Sequence, residues 1–192
     1  IQGESEAVRN RYGTGHRGQC YLLGRKLIES GVRFVTVDVR EPQSSFRDGK
    51  AVRYNGGSNM NWDHHDAIYS DSHTNIKGGG AGAGRFGFHT WPMMGSTDQA
   101  VSALIEDMHQ RGLLEETLLC FVTEFGRTPK LGQITSGAGA EPDGRDHWPH
   151  CYSVFLAGAG VRAGTGYGAS DRHAAYPADN PGGPADITAT IY

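Results

Sequence analysis

The sequence predicts an α/β fold: a mostly parallel central sheet flanked by helices, with long Gly-rich loops. Three observations carry that expectation. Apolar residues recur at helical spacing over residues 16–30 and 96–111. Short runs at 33–39, 117–123 and 151–157 have the length and composition of strands. Helix and strand patterns alternate, and the continuously apolar runs read as strands covered on both faces, so at least one parallel crossover is expected.

Each element has a local reason. His16 to Ser30 reads as a helix because Cys20, Leu23, Leu27 and Ile28 fall near one face and Gly31 stands at the stop position. Arg33 to Val39 reads as a strand in which Val35, Val37 and Val39 alternate with Phe34, Thr36 and Asp38. Residues 41–95 read as a long irregular stretch, with a Gly-rich insert at about 66–95. Connections beyond about 15 residues are usually functional or disordered. Ser96 to Arg111 is the clearest helix: Val101, Leu104, Ile105 and Met108 follow an i, i+3, i+4, i+7 pattern, and Gly112 ends it. The run Leu118-Leu119-Cys120-Phe121-Val122 and the segment Cys151 to Ala157 read as buried strands. Glycines between 158 and 168 have a hairpin-like pattern. Pro184 and Asp186 suit a helix start. That helix reaches Tyr192 without a C-cap, so residues 1–192 read as a single partial domain.

Composition narrows the function. The 192 residues carry a net charge of −3 and are 20% charged, which gives no electrostatic reason to expect nucleic acid or an anionic membrane as partner. No apolar run approaches the roughly 18 residues a membrane span needs. Glycine is abundant, at 29 residues, which implies many turns around a modest core. The three cysteines, Cys20, Cys120 and Cys151, are too few and too scattered for a disulfide framework or a zinc knuckle. Cys120 and Cys151 read as small apolar residues of strands.

Chemistry-bearing residues gather in three clusters: Asn61-Trp62-Asp63-His64-His65-Asp66, Thr123-Glu124-Phe125-Gly126-Arg127-Thr128, and Gly144-Arg145-Asp146-His147-Trp148-Pro149-His150. The second follows a strand pattern, where ligands bind in open α/β sheets. Asp, Glu and His together suit zinc, manganese or iron. Arg127 and Arg145 suit the paired oxygens of a phosphate or sulfate. Each cluster also has an ordinary reading as turn, cap or satisfied loop residues. His16, His64, His73, His89, His109 and His173 read as structural, loop or surface residues, and His150 is ambiguous. The glycine run at 78–84 lacks a Gly-Lys-Ser/Thr ending and reads as a flexible loop. No Gly-x-Ser-x-Gly elbow is present.

On these clusters, together with Arg11-Tyr12-Gly13, the stretches 22–35 and 98–107, Gly112-Leu113-Leu114, Glu124-Phe125-Gly126-Arg127-Thr128-Pro129 and the 158–192 tail, the chain resembles domain-of-unknown-function family fifteen-oh-one, of the alkaline-phosphatase/sulfatase-like superfamily. The resemblance implies a partial alkaline-phosphatase-like sandwich, namely the C-terminal half of the family's domain. It implies that the intact parent is a metal-dependent hydrolase of phosphate or sulfate esters, of which these residues are an incomplete part. It also implies one divalent ion (zinc, manganese or calcium) held by Asp63, His65 and His147 with help from Glu124. Arg127 and Arg145 would bind the oxyanion, and Asp146 would orient His147 or an arginine from behind. Phe125 stands where active superfamily members have a metal-binding His, so a second metal is expected to be weak or absent. The superfamily's nucleophile would lie upstream of Ile1, and none is nominated here. The substrate would be a small anionic ester or a sulfated or phosphorylated glycan, and the location periplasmic or extracytoplasmic. The competing expectation is a non-catalytic module that binds glycan or protein; Phe125, the lack of a nominated nucleophile and the Gly-rich insert favour it. Phe125→His is expected to tighten binding of a second metal ion, which titration calorimetry would detect; an unchanged stoichiometry would count against the placement of Phe125.

Overall fold

The structure is a computed structural model, and it describes residues 1–38, 44–47, 50–53, 65 and 94–192. The glycine run at 78–84, Asp63, His64, His73 and His89 lie outside these residues.

Three helices make the core. Helix α1 (Glu6–Tyr12) starts where the Ser5 hydroxyl accepts a hydrogen bond from the Val8 amide at 3.2 Å, with Glu6 in the positive first turn. Helix α2 (His16–Glu29) and helix α3 (Ser96–Gln110) occupy the segments their apolar spacing predicted. Tyr12, Tyr21, Leu22, Ala100, Ala103, Leu104 and Met108 form the buried cluster between them. Gly18 lets α1 approach α2: a Cβ there would stand 2.2 Å from the Tyr12 carbonyl oxygen, a distance no side chain tolerates.

This core also contains charge. Arg25 is 1% exposed, and its guanidinium lies 2.9 Å from Glu4, 2.6 Å from Glu29 and 2.9 Å from Asp107. The Tyr12 hydroxyl donates to Asp107 at 2.9 Å, and Arg111 donates to Asp107 at 2.8 Å and to Glu29 at 2.9 Å. Arg11 pairs with Glu106 beside them. Burial alone would raise the pKa of Asp107, but hydrogen bonds from Arg111 and Tyr12 and the charge of Arg25 hold it below the ordinary value. Glu4 is held low against burial by Arg25 and Lys26.

The parallel sheet is not found. The strands form four separate two-stranded ladders among the described residues, all antiparallel. Strand β1 (Ser44–Arg47) pairs with β2 (Lys50–Arg53), inside the stretch expected to be irregular. Strand β3 (Leu119–Phe121) pairs with β6 (Phe155–Ala157), Leu119 opposite Ala157. Strand β4 (Gly126–Arg127) pairs with β5 (His147–Trp148), and β7 (Ala169–Ser170) with β8 (Pro177–Asp179). The expected strand at 33–39 has no ladder partner over its described residues 33–38. That segment runs over α2 instead, with Val37 against Gly24. Nor are the apolar runs covered on both faces: Val122 is 54% exposed and Phe155 39%. Apolar alternation identifies a strand but not the direction of its neighbour, which depends on distant segments. The β3–β6 ladder is tied to the core by Leu113 of the 3₁₀ turn (Leu113–Glu115), by Leu114 and Leu119, and by the Ala159 amide donating to the Leu114 carbonyl at 2.7 Å.

Helix α4 (Pro184–Ile191) forms where Pro184 and Asp186 predicted it, with Asp186 accepting from the Gly183 amide at 2.7 Å. No helix among the described residues is long and apolar enough to cross a membrane.

The ion cluster makes the core sensitive to acid. Glu4 and Asp107 titrate below their ordinary values of 4.5 and 3.8. Their contribution is therefore complete above about pH 4.5 and is lost as pH falls further. Arg25→Met is expected to cost about 3–5 kcal/mol at neutral pH, because it strands buried carboxylates. It should also flatten the loss of stability between pH 5 and pH 3, as read by urea unfolding at several pH values.

Candidate metal centre

The second and third sequence clusters meet through the β4–β5 ladder, which sets Arg127 opposite His147 and Gly126 opposite Trp148. Gly126 is required there, since a Cβ would stand 2.2 Å from the Cys151 carbonyl oxygen. The long loop between the two strands returns to itself through a buried carboxylate. Asp146 is fully buried. Its Oδ2 accepts from the amides of Thr135 and Ser136, both at 2.7 Å. Its Oδ1 accepts from the Ser136 hydroxyl at 2.6 Å and from the His147 amide at 2.7 Å. The Asp146 backbone exchanges bonds with Thr128, whose amide donates to the Asp146 carbonyl at 2.9 Å. Burial alone would raise the Asp146 pKa, but the Ser136 hydroxyl and three backbone amides hold it far below the usual carboxylate range. This is an ionised carboxylate with its lone pairs in use.

His65 reaches the cluster from the first motif, its carbonyl accepting from the Glu141 amide at 2.8 Å. Its ring packs edge-on against His147, centroids 4.6 Å apart, and its Nε2 lies 3.7 Å from Asp146 Oδ1. Donor atoms of His65, Asp146 and His147 all lie within 4.8 Å of one another. Phe125 covers His147 from another side, ring centroids 4.5 Å apart, and Arg127 lies 6.0 Å from the centre of the Phe125 ring. The Arg127 Nη1 is 3.2 Å from His65 Nε2 and 3.4 Å from Nδ1, and it donates to the Arg145 carbonyl at 3.3 Å.

Of the residues read from sequence, His65, His147, Arg127 and Asp146 come together. Glu124 is exposed in the turn before β4 and is not in the converging group. Asp63 lies outside the described residues. Arg145 donates from Nη2 to the Pro129 carbonyl at 3.2 Å, so part of its guanidinium serves the loop. His150 is exposed and stacks with Trp148 and Tyr176. His16 and His109 are exposed on helices. Cys120 and Cys151 are half-buried thiols, and burial raises the Cys120 pKa. Thr135 and Ser136, which hold the Asp146 carboxylate, stand outside the three sequence clusters, whereas Thr128 stands in the second without a role. Their signal is the Thr135-Ser136-Gly137 turn composition, which marks a loop but not its partner.

The donor set can be tested against an ion on chemistry alone. Two imidazoles suit zinc or manganese and suit calcium poorly, since calcium takes oxygen ligands. Asp146 could contribute only by giving up a hydrogen bond at Oδ1. Two nitrogen donors fit; the third position calls for another carboxylate, and Asp63, two residues before His65, is the one that the family resemblance implies.

The chain belongs to the family described as protein of unknown function (DUF1501), which matches residues 1–192. Neither a curated protein nor a solved structure matches the chain.

Asp146→Ala would leave three part-buried amides without their acceptor. It is expected to destabilise the protein by at least about 3 kcal/mol and to speed hydrogen exchange at Thr135, Ser136 and His147. Because the Asp146 pKa is depressed, protection of these amides in the wild type should survive below pH 4, the range in which ordinary carboxylates protonate, and disappear only in stronger acid.

Proposed function

We propose that residues 1–192 supply the metal-binding part of a metal-dependent hydrolase of phosphate or sulfate esters, of the alkaline-phosphatase/sulfatase-like kind that the sequence resembles. The observation that carries the reading is the convergence of His65 and His147 beside Arg127 on a loop fixed by Asp146.

In this reading His65 and His147 hold one divalent ion, zinc or manganese, with Asp63 completing the set. A bound ion supplies a Lewis acid that polarises an ester oxygen or lowers the pKa of water. Arg127 offers its fork to the anionic oxygens of the ester. Arg145 supports Arg127 through its carbonyl. Asp146 fixes the backbone of His147 and so the ring's position. The substrate class is a small anionic ester or a sulfated or phosphorylated glycan, and an exported, extracytoplasmic location belongs to the same reading.

A second reading is favoured by a specific observation. All four acceptor positions of Asp146 are used and a guanidinium lies against His65. That arrangement also suits a non-catalytic module that binds an anionic glycan or protein.

The two readings separate on metal. Zinc titration of the protein is expected to show one ion per chain. His147→Ala and His65→Ala should each weaken it by at least the roughly 10–100-fold that even outer-shell changes cause. A wild-type protein that takes up no zinc would remove the hydrolase reading and leave the binding module.

A further inference from the structure

We infer that Arg127 couples metal loading to anion binding, so that the divalent ion and a phosphate or sulfate enter the site together, each strengthening the other. The inference rests on the metal reading above and adds a linkage to it.

The geometry sets up a competition. A neutral imidazole offers one nitrogen lone pair. In this structure the Arg127 Nη1 lies within hydrogen-bond distance of both His65 ring nitrogens, at 3.2 and 3.4 Å. An atom that near to both nitrogens lies over the ring face, so the guanidinium opposes the ion through its charge and leaves the lone pair itself open. The guanidinium also keeps its charge at any physiological pH, and it would stand beside a divalent cation. The nearby carboxylate offers limited relief: Asp146 Oδ1 is 3.7 Å from His65 Nε2, but it already accepts from Ser136 and His147. Arg127 is held in place by its ladder position opposite His147 and by the Arg145 carbonyl, so it does not simply leave.

A tetrahedral oxyanion resolves the conflict. Its paired oxygens match the planar fork of Arg127 and give the guanidinium a partner other than His65. The anion's charge then lies between two cations, the guanidinium and the ion, and offsets their repulsion. Binding of ion and anion is therefore linked, and by thermodynamic necessity the coupling is the same in both directions. Inorganic phosphate alone should bind more tightly when zinc is present, and zinc more tightly when phosphate is present.

The test is a zinc titration of the protein, read by competition with a chelating dye. It is run in chloride and in inorganic phosphate at equal ionic strength, for the wild type, Arg127→Ala and Arg127→Lys. Phosphate complexes free zinc weakly, which works against the expected direction. Wild-type affinity is expected to rise in phosphate by about 5–150-fold, the usual span of such couplings. Arg127→Ala should bind zinc more tightly than the wild type in chloride and lose the phosphate response. Arg127→Lys should keep the weak affinity in chloride and show a smaller response. Equal wild-type affinity in the two buffers, which needs no variant, would overturn the coupling while leaving the metal site standing. So would weaker zinc binding by Arg127→Ala in chloride. A wild type that binds zinc in neither buffer would overturn the coupling and the metal reading together.

Discussion

Asp146 is a buried carboxylate that accepts four hydrogen bonds, two through each oxygen. The donors come from its own neighbour His147 and from Thr135 and Ser136, about ten residues earlier. A buried carboxylate without such donors would be strongly destabilising. With them, it closes the loop between β4 and β5 into a fixed shape. The position of every other group at the site follows. His147 lies opposite Arg127 because the loop closes in this register, and His65 joins through Glu141, a residue of the same loop. The cost of this arrangement is that the carboxylate nearest the histidines is occupied with structural work.

The rest of the described chain is held differently. Helices α1, α2 and α3 pack through Tyr12, Tyr21, Leu22 and Leu104, and Arg25 and Asp107 add a charged lock at their junction. The ladders have little apolar cover, with Val122, Phe155 and Tyr176 all substantially exposed. Backbone closure and side-chain hydrogen bonds take over there. The 113–119 segment links the two regimes by packing leucines on the helical core while its Leu114 carbonyl accepts from Ala159.

The helices were legible because their signals are local. Leu104 and Met108 recur at helical spacing, Gly112 ends α3 with φ of 74°, and Pro184 with Asp186 starts α4. Helix α1 carries a local signal too, in Ser5 as cap and Glu6 behind it, but at 7 residues its apolar face is too short to show a helical period. The sheet was not legible. Leu118 to Val122 has a strand's composition, but nothing in those residues says that β3 meets β6 antiparallel. At the site, residue type pointed to His65, His147, Arg127 and Asp146. What could not be read was the division of labour. That Asp146 is spent on amides, and that Arg127 lies on His65, are properties of loop closure between residues far apart in sequence. Arg25 and Arg17 illustrate the same limit, since buried arginines look like surface residues until their partners are known.

The central claim is that His65 and His147 share one divalent ion. X-ray absorption on the zinc-loaded protein tests it most directly. Two imidazole nitrogens at about 2.0–2.1 Å, with one of them lost in His147→Ala, are the expected result. A first shell of oxygen or sulfur alone, unchanged by that substitution, would contradict it and place the ion elsewhere on the chain.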